Sequence, residues 1–505
     1  MNAFLDTGQD GARIGAYRVR PFSVRRPNTN MSISQLQING YRGFKTAGKL
    51  QFATPTGMNG SGLTVLTGPN NAGKSSILEC LRARSGTEPV SFTTGTRNAD
   101  VEEVEIVYTV NGKSEMLRSL SKGSSETTKD GIDKSFKVFV LPSRRAFSPY
   151  FGRAEWSREQ YVERSALPPQ RSSVLSNFEY RLFNTLKQPE QFNELLSEAL
   201  GFSPKWTIDK SDQGQYFLKF YNGKHSHSSD GMGEGIISVF AIVDSLYDST
   251  PGSAVVIDEP ELSLHPSLQK RVASLLGRFS KDRQVIVSTH SPYFVDLRAL
   301  ANGGHLARIT TSDAGTQVYQ LSASSKDAIR RLSEGNLYNP HVFGLDAREL
   351  FFQEDGIILT EGQEDVLLYP RVAEQVGLGI GGSFFGWGVG GASNIRHLCR
   401  ILEDLGFLKV AGLLDCDKIS EAASLGKDFP KYFFDCIPAN DIRTKPARKP
   451  TEEVVGLLDE KLQLNPEFRE AVEKLFTRLA ALMPPNPSIE RTSPGKPGAA
   501  SHLKG

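Results

Sequence analysis

The stretch that most restricts how this chain can fold runs from Leu63 to Arg82, LTVLTGPNNAGKSSILECLR. A short apolar run (Leu63, Val65, Leu66) precedes Gly68-Pro69-Asn70-Asn71-Ala72-Gly73-Lys74-Ser75, and an apolar-periodic segment with Ile77, Leu78 and Leu81 follows. Strand, glycine-bounded loop and helix, in that order, are the setting that a phosphate-binding loop needs. Gly68 and Gly73 let the backbone curl so that successive N–H groups face the phosphates, with Asn70, Asn71, Ala72 and Ser76 in the cradle. Lys74 is placed to reach the β- and γ-phosphates and Ser75 to offer its hydroxyl to Mg²⁺, while the helix directs its positive end at the anion. A chance glycine-rich turn would not fill every fixed position between the correct flanks. The sequence therefore predicts that a nucleoside triphosphate, ATP, binds here.

Composition bounds the rest. Lysine plus arginine (59) nearly balance aspartate plus glutamate (57), so no global positive field advertises nucleic acid and any such contact must come from local patches. The 505 residues suit about three domains. Cys80, Cys399, Cys416 and Cys436 lie far apart or in apolar context, which reads as buried thiols in a reducing compartment. No apolar run is long enough to span a bilayer, and the expectation is a soluble, cytoplasmic chain without a membrane partner. Residues 1–30 are polar and arginine-bearing and read as a disordered extension or as a start codon placed too early; residues 482–505, rich in Pro, Gly and Ser, read as a disordered tail.

From Ile33 the alternation in ISQLQINGYRGF predicts a strand, after which Tyr41 and Phe44 could lie beside a nucleotide base or pack in the core. Val104–Val110 and Phe136–Leu141 read as further strands, the first closing at the turn Asn111-Gly112, with Ser121–Lys134 as a loop between them. Arg144 and Arg145 at the second strand's end could face phosphate or be solvated. A helical insertion is expected over about 152–200, where Phe178, Leu182, Phe183, Leu186, Phe192, Leu195 and Leu196 are spaced for one apolar face. The glycine-rich loop His227–Gly235, before an apolar helix Ile236–Leu246, offers a second anion cradle. In SAVVIDEPE a β-branched run delivers Asp258 and Glu259 to the carboxyl end of a buried strand, where acids have no structural reason to be unless a cation or a water needs them. Asp258 would hold Mg²⁺, usually through water, and Glu259 would orient or deprotonate the attacking water. A strand at Gln284–Val287 ends in Ser288-Thr289-His290-Ser291-Pro292, which makes His290 a candidate γ-phosphate sensor.

The IxxYRGF opening, the DEPE box and the STHSP box together resemble the head domain of ABC-type ATPases over residues 31–320, and within that group the RecF/SMC/OLD branch more than the transporters. Ser229-Asp230-Gly231 is similar to the signature loop of that family, with Asp where Ser or Gly is more familiar. The resemblance implies that Ser229 and Gly231 close over the γ-phosphate held by a partner's phosphate-binding loop. A complete site would then take two copies, a homodimer or higher homo-oligomer that ATP joins and hydrolysis releases.

Beyond a linker at about 321–350, the chain changes character. Gly356–Thr360 predicts a buried strand that ends in Glu361-Gly362-Gln363-Glu364-Asp365, Phe384–Val389 a second strand, and Lys409–Leu414 a third that ends in Asp415-Cys416-Asp417, with apolar-periodic helices between. Ligands of such parallel sheets gather at the carboxyl ends of the strands, where Glu361, Asp415 and Asp417 fall. Acids that converge there repel one another unless a divalent cation neutralises them, and oxygen-only ligands favour Mg²⁺ or Mn²⁺. Two ions about 3.5–4 Å apart could stabilise both the attacking and the leaving oxygen of a phosphodiester. Exposed turn acids are the plainer alternative for any one of these motifs alone.

This half, residues 351–481, is similar to a TOPRIM domain, shared by topoisomerases, bacterial primases and OLD-family ATP-dependent nucleases. By that resemblance Glu361 is a metal ligand or general acid/base, and Asp415 and Asp417 form a metal-binding DxD. Glu364 or Asp365 supplies an extra ligand, while Asp441 and Lys445 stand where such nucleases place a further acid and a catalytic lysine, an aspartate here where glutamate is frequent. Arg443, Lys445, Arg448 and Lys449 could grip a DNA backbone or be a solvated charge run. The expected fold class is α/β, an ABC-type P-loop ATPase domain followed by a Rossmann-like parallel TOPRIM sheet. The resemblance implies an ATP-controlled, Mg²⁺- or Mn²⁺-dependent endonuclease or nickase acting on double-stranded DNA in bacterial defence against phage, alone or with a partner protein. The alternatives are an ATPase sensor whose C-terminal domain docks an effector, and a RecF-like repair ATPase.

Overall fold

The computed structural model describes residues 31–86, 90–93, 95–145, 150–164, 178–187, 189–222, 224–228, 232–333, 344–352, 355–445 and 454–484. The expectations for residues 1–30, for the tail from 485 onward, for Ser229, Asp230 and Gly231, and for Arg448 and Lys449 lie outside them.

The chain begins with strands β1 (Ile33–Asn39), β2 (Gly48–Gln51) and β3 (Leu63–Thr67), helix α1 (Lys74–Ser85), and strands β4 (Glu105–Val110), β5 (Lys113–Ser119), β6 (Thr127–Asp130) and β7 (Val138–Leu141). An antiparallel sheet takes the order β2-β1-β4-β5-β6. Its β4–β5 hairpin turns at Asn111 (φ 49°) and Gly112 (φ 76°), the two left-handed residues that a tight two-residue hairpin requires. The expected loop at Ser121–Lys134 is corrected in part: Thr127–Asp130 is an edge strand paired with β5. Its side chains are all polar and none is buried, so no apolar alternation reveals it.

Helices α2 (Arg158–Arg164), α3 (Glu179–Thr185) and α4 (Pro189–Leu200) form the helical insertion. A three-stranded antiparallel sheet comes next, β8 (Lys205–Lys210), β9 (Tyr216–Asn222) and β10 (His225–Ser228). Then come α5 (Glu234–Tyr247), β11 (Ala254–Asp258), α6 (Pro266–Phe279), β12 (Gln284–Ser288), α7 (Leu297–Ala301), β13 (His305–Ser312) and β14 (Gly315–Gln320). The principal sheet has the order β14-β13-β3-β12-β11-β7, parallel throughout except for β14. Every residue of β3 and β12 is buried, as expected of central parallel strands covered on both faces. Successive residues divide between two cores. Leu63, Val65, Val255, Ile257, Val285 and Val287 pack with Val239 and Phe240 of α5, whereas Leu66, Val256 and Ile286 pack with Ile77 and Leu81 of α1 and with the antiparallel sheet.

The stretch expected as a linker carries helices α8 (Ala323–Ser333) and α9 (Leu345–Glu349), and α8 buries Ala328 and Ile329. The second unit contains β15 (Ile357–Thr360), α10 (Gln363–Gln375), β16 (Ser383–Phe384), α11 (Ala392–Asp404), β17 (Val410–Leu414), α12 (Ile419–Asp428), β18 (Phe433–Cys436) and α13 (Arg469–Leu482). Its four strands are parallel, in the order β16-β15-β17-β18. Ile357 and Leu359 face a core with Ile395 and Leu398 of α11; Ile358 faces another with Tyr369 of α10 and Phe476 of α13. The strand expected at Phe384–Val389 is corrected: it ends at Phe384, because Gly386, Gly388 and Gly390 take φ of 47°, 82° and 74° and leave the extended region. The second unit is joined to the first through side chains. Ser322 N–H donates to Asp404 Oδ2 at 2.8 Å, Ser325 Oγ to the Arg400 carbonyl at 3.1 Å, and Arg308 to the Leu405 carbonyl at 3.1 Å.

Candidate functional site

A cavity of about 1040 Å³ opens over the loop between β3 and α1 and is lined by Asn70, Asn71, Ala72, Gly73, Lys74, Ser75 and Ser76. Gly68 (φ 126°) admits no side chain, since a Cβ there would meet the Ile309 carbonyl oxygen at 1.9 Å. Lys74 lies folded back, its ammonium donating to the Gly68 and Pro69 carbonyls at 2.9 Å each. Burial pulls its pKa down to about 8, opposed by the charges of Glu259, Asp258 and Glu261. An anion that enters the loop supplies the missing counter-charge, and the lysine need only leave two carbonyls to reach it.

The tips of β11 and β12 close the floor. Asp258 Oδ1 accepts from Ser288 Oγ at 2.6 Å. Glu259, at φ 45°, and His290 both face the cavity, with His290 Nε2 3.9 Å from Glu259 Oε1. Burial, with a smaller contribution from Lys74, lowers the His290 pKa and keeps the imidazole neutral near pH 7. The set holds a hydroxyl (Ser75), a carboxylate at a strand end (Asp258) and a second carboxylate beside it (Glu259). That chemistry fits a Mg²⁺-nucleotide, with Ser75 and Asp258 as the oxygen donors.

Two residues that sequence reasoning did not assign hold this floor in shape. Glu261 is half-buried and accepts from Thr289 Oγ1 at 2.8 Å and from the His290 N–H at 2.6 Å, tying the β12 tip to the β11 tip. The spacing of the DEPE box contained that signal. Arg145 is corrected from a phosphate-facing or solvated arginine to a buried one that donates to the carbonyls of Asp258 (2.8 Å) and Glu259 (2.7 Å) and to Ser238 Oγ (2.8 Å). Tyr41 and Phe44 are core residues, each 1% exposed, so the base-stacking alternative falls away. Arg42 and Asn98 line the cavity instead; Asn98 Nδ2 holds the Arg42 carbonyl at 2.6 Å.

The second cluster lies at the carboxyl edge of the C-terminal sheet. Glu361 follows β15 and Asp415 follows β17, and the Asp415 N–H donates to Glu361 Oε1 at 3.2 Å. Asp365 caps the start of α10 through the Gly362 N–H at 2.9 Å. Burial pushes Asp415 up to about 7, reinforced by Asp365, Glu361, Asp441 and Asp417. Burial likewise raises Asp365 to about 6, with Glu361 and Asp441 adding to it. Glu361 is raised as well, chiefly by burial. The three remaining candidates are already paired: Glu364 with Arg443 at 2.7 Å, Asp441 with Lys445, and Asp417 with Lys418 at 2.9 Å. The structure thus brings Glu361, Asp365 and Asp415 onto one edge with Asp417 and Asp441 beside them. Among the described residues, however, no three acidic, histidine or cysteine side chains stand close enough to hold a metal ion as they are. An all-carboxylate donor set with raised pKa values fits a hard divalent cation that relieves the repulsion, provided the side chains turn inward.

Residues 97–296 match the family model described as "AAA domain, putative AbiEii toxin, Type IV TA system", and residues 31–137 match a model described as an AAA ATPase domain. The Septu protein PtuA of Bacillus thuringiensis is 25% identical over 322 residues, which cover 57% of this chain and 78% of PtuA. The Old nuclease of Escherichia phage P2 is 29% identical over 177 residues, covering 33% of this chain and 28% of that protein. Of solved structures, the SMC head domain from Thermotoga maritima superposes with a TM-score of 0.35 at 15% identity over 58% of this chain and 99% of that one. The Smc head domain of Pyrococcus furiosus, with an extended coiled coil and bound to the C-terminal domain of ScpA, gives 0.43 at 15% identity over 60% and 99%. The chain therefore carries AAA-type ATPase domains, which support ATPase activity and nucleotide binding, and it is related in sequence to PtuA and to Old nuclease. Among the described residues no helix is long and apolar enough to cross a membrane.

Proposed function

We propose that this chain is an ATP-governed, divalent-metal-dependent DNA nickase or endonuclease of the OLD type, with a TOPRIM-like catalytic unit, that serves in bacterial defence. The observation that carries the reading is the carboxylate edge: several acids gather at a half-buried sheet rim, where desolvation, reinforced by the neighbouring carboxylates, pushes Asp415 up to about 7. A purely structural rim gains nothing from that repulsion.

At the nucleotide site Lys74 swings from the Gly68 and Pro69 carbonyls to the β- and γ-phosphates. Ser75 and Asp258 hold Mg²⁺, Glu259 orients or deprotonates the attacking water, and neutral His290 offers a ring N–H to the γ-phosphate. Ser229 and Gly231 of a second copy complete the cradle. At the C-terminal edge Glu361, Asp415 and Asp365 are the donors for Mg²⁺ or Mn²⁺, with Asp417, Glu364 and Asp441 able to join when their ion pairs open. A bound divalent ion there supplies charge neutralisation and an activated water. Lys445, released from Asp441, steadies the phosphodiester, and Arg443 adds a second positive contact to the backbone.

A second reading, an ATPase sensor whose C-terminal unit docks a partner effector, is favoured by the spacing of these carboxylates, since among the described residues no three stand close enough to hold a metal ion as they are. Supercoiled plasmid with purified protein, ATP and Mg²⁺ or Mn²⁺ separates the two. Asp415→Ala is expected to abolish nicking while ATP turnover survives, and Lys74→Ala to lower ATP turnover on the order of 10²–10³-fold. If the unaltered chain leaves plasmid intact under every metal and nucleotide condition, the sensor reading replaces the nuclease.

A further inference from the structure

Arg145 occupies a place that the principal sheet leaves open. Strand β7 pairs with β11 only as far as Leu141 opposite Ile257, so the backbone of Asp258 and Glu259 runs on past the last rung on that side. Four residues beyond Leu141 the chain answers with a side chain instead. The Arg145 guanidinium is buried, the residue being 4% exposed, and donates from Nη1 to the Asp258 carbonyl at 2.8 Å and from Nη2 to the Glu259 carbonyl at 2.7 Å. Nη1 also holds the Pro142 carbonyl at 2.9 Å, which fixes the fork to its own backbone. Burial lowers the Arg145 pKa only to about 10, opposed by the charges of Glu261, Asp258 and Glu259, so the fork is charged at neutral pH.

Glu259 needs such a hold. Its φ of 45° lies in the left-handed region, which a residue with a side chain adopts at a cost and keeps only where its surroundings determine it. On one side the Glu259 N–H donates to the Ser288 carbonyl at 2.8 Å; on the other its carbonyl accepts from Arg145 and from the Leu262 N–H at 3.1 Å. With the turn pinned in this way, Glu259 lines the nucleotide cavity. The same guanidinium reaches a second element. Its Nε donates at 2.8 Å to the Oγ of Ser238, a buried residue in the second turn of α5. The start of α5 is seated on the same strand tip: Glu234 accepts from Ser263 Oγ at 2.9 Å, and a Cβ on Gly235 would stand 2.5 Å from the Ser263 carbonyl oxygen. One side chain thus joins this helix to the backbone that carries the Glu259 carboxylate. A lysine in its place keeps the charge and loses the fork.

We infer that Arg145 is a positioning residue of ATP hydrolysis: it fixes the left-handed turn that presents Glu259 to the nucleotide, and its bond to Ser238 makes that presentation depend on the seating of α5. This rests on the role proposed for Glu259. Steady-state ATP turnover by the full chain with Mg²⁺ tests it. Glu259→Gln is expected to stop turnover. Arg145→Lys should lower kcat about ten- to a hundredfold, as a displacement near 1 Å does, while KM for ATP stays within about threefold. Ser238→Ala removes only the acceptor on α5 and is the milder variant for the fold. It should lower kcat by about threefold or more with KM unchanged, and should cost nothing further when added to Arg145→Lys, because the serine acts through the guanidinium. Arg145→Lys at full kcat beside an inactive Glu259→Gln, or a loss carried by KM instead of kcat, overturns the inference alone. Losses from Ser238→Ala and Arg145→Lys that simply multiply overturn the tie to α5. A Glu259→Gln protein that turns over as fast as the unaltered chain removes the role given to that carboxylate, and the inference falls with it.

Discussion

Desolvation acts on Lys74 and on Asp415 with opposite results, since it always disfavours the charged form: the ammonium falls to about 8 and the carboxyl rises to about 7. The neighbours differ. Around Lys74 the carboxylates of Glu259, Asp258 and Glu261 restore part of the charge, whereas around Asp415 the carboxylates of Asp365, Glu361, Asp441 and Asp417 compound the cost. Linkage turns this into a measurement. A carboxyl whose folded pKa exceeds its unfolded value of about 3.9 lends the fold stability that is complete below that value and is lost as pH rises through the folded pKa. In chelator, the melting temperature is expected to fall between pH 5 and pH 8 more steeply in the unaltered chain than in Asp415→Asn, with Asp365 contributing at the lower end of the window. Excess Mn²⁺ should flatten or reverse that slope, because protons and metal compete for the same oxygens. Thermal melts across that range decide it: identical slopes in the two proteins would mean that the Asp415 carboxyl is not raised in the folded chain.

The β13–β14 ribbon touches both the nucleotide cavity and the C-terminal unit. At one end Thr311 and Thr316 line the nucleotide cavity and the Ile309 carbonyl backs Gly68. At the other, the cross-strand partners Arg308 and Tyr319 receive the turn that follows α11. The Arg308 guanidinium lies 3.9 Å from the Phe407 ring centroid and donates to the Leu405 carbonyl, and Gly406 sits against the Tyr319 ring, where a Cβ would approach to 2.6 Å. Arg308→Ala is expected to cost about 2–4 kcal/mol through a desolvated cation–π contact and a lost buried hydrogen bond. It should also erase any ATP-dependent change in hydrogen exchange over 405–418 while ATP still binds. An undiminished ATP response in that segment would show that the ribbon only glues the units together. This ribbon was not legible in the sequence, and neither were β5, β6 and the β8–β10 sheet: half-exposed antiparallel strands mix polar with apolar residues, and their partners lie far away along the chain. What was legible shares one physical cause. Strands β3, β11, β12, β15 and β17 are buried on both faces and read as unbroken apolar runs, so the acids and glycines at their ends stand out by contrast. Arg145 escaped because an arginine that serves backbone carbonyls in the interior has the same sequence signature as one in water.

At the scale of the whole molecule, the nucleotide cavity is walled on one side by Asn70 to Ser76 and on another by Glu259 and His290, and among the described residues none of its lining comes from residues 232–234 at the start of α5. Gly233 and Glu234, the described start of that helix, are instead exposed, with Glu234 accepting from Ser263 Oγ at 2.9 Å. If the loop before α5 is an anion cradle for the phosphate held by another copy, a two-fold pair satisfies both sites at once because each chain brings one of each part. ATP then acts as a ligand that binds the paired state better than the single one, and pairing must follow nucleotide occupancy by mass action. Glu259→Gln should trap the pair by keeping ATP unhydrolysed. Light scattering behind a sizing column is expected to show Glu259→Gln with ATP and Mg²⁺ at twice the mass of the chain and with ADP at the mass of one copy. The double variant with Lys74→Ala should stay single in both nucleotides, since it lacks the contact that places the γ-phosphate. A Glu259→Gln protein that binds ATP and never pairs, at concentrations well above those of the assay, would mean that each site is completed from within its own chain.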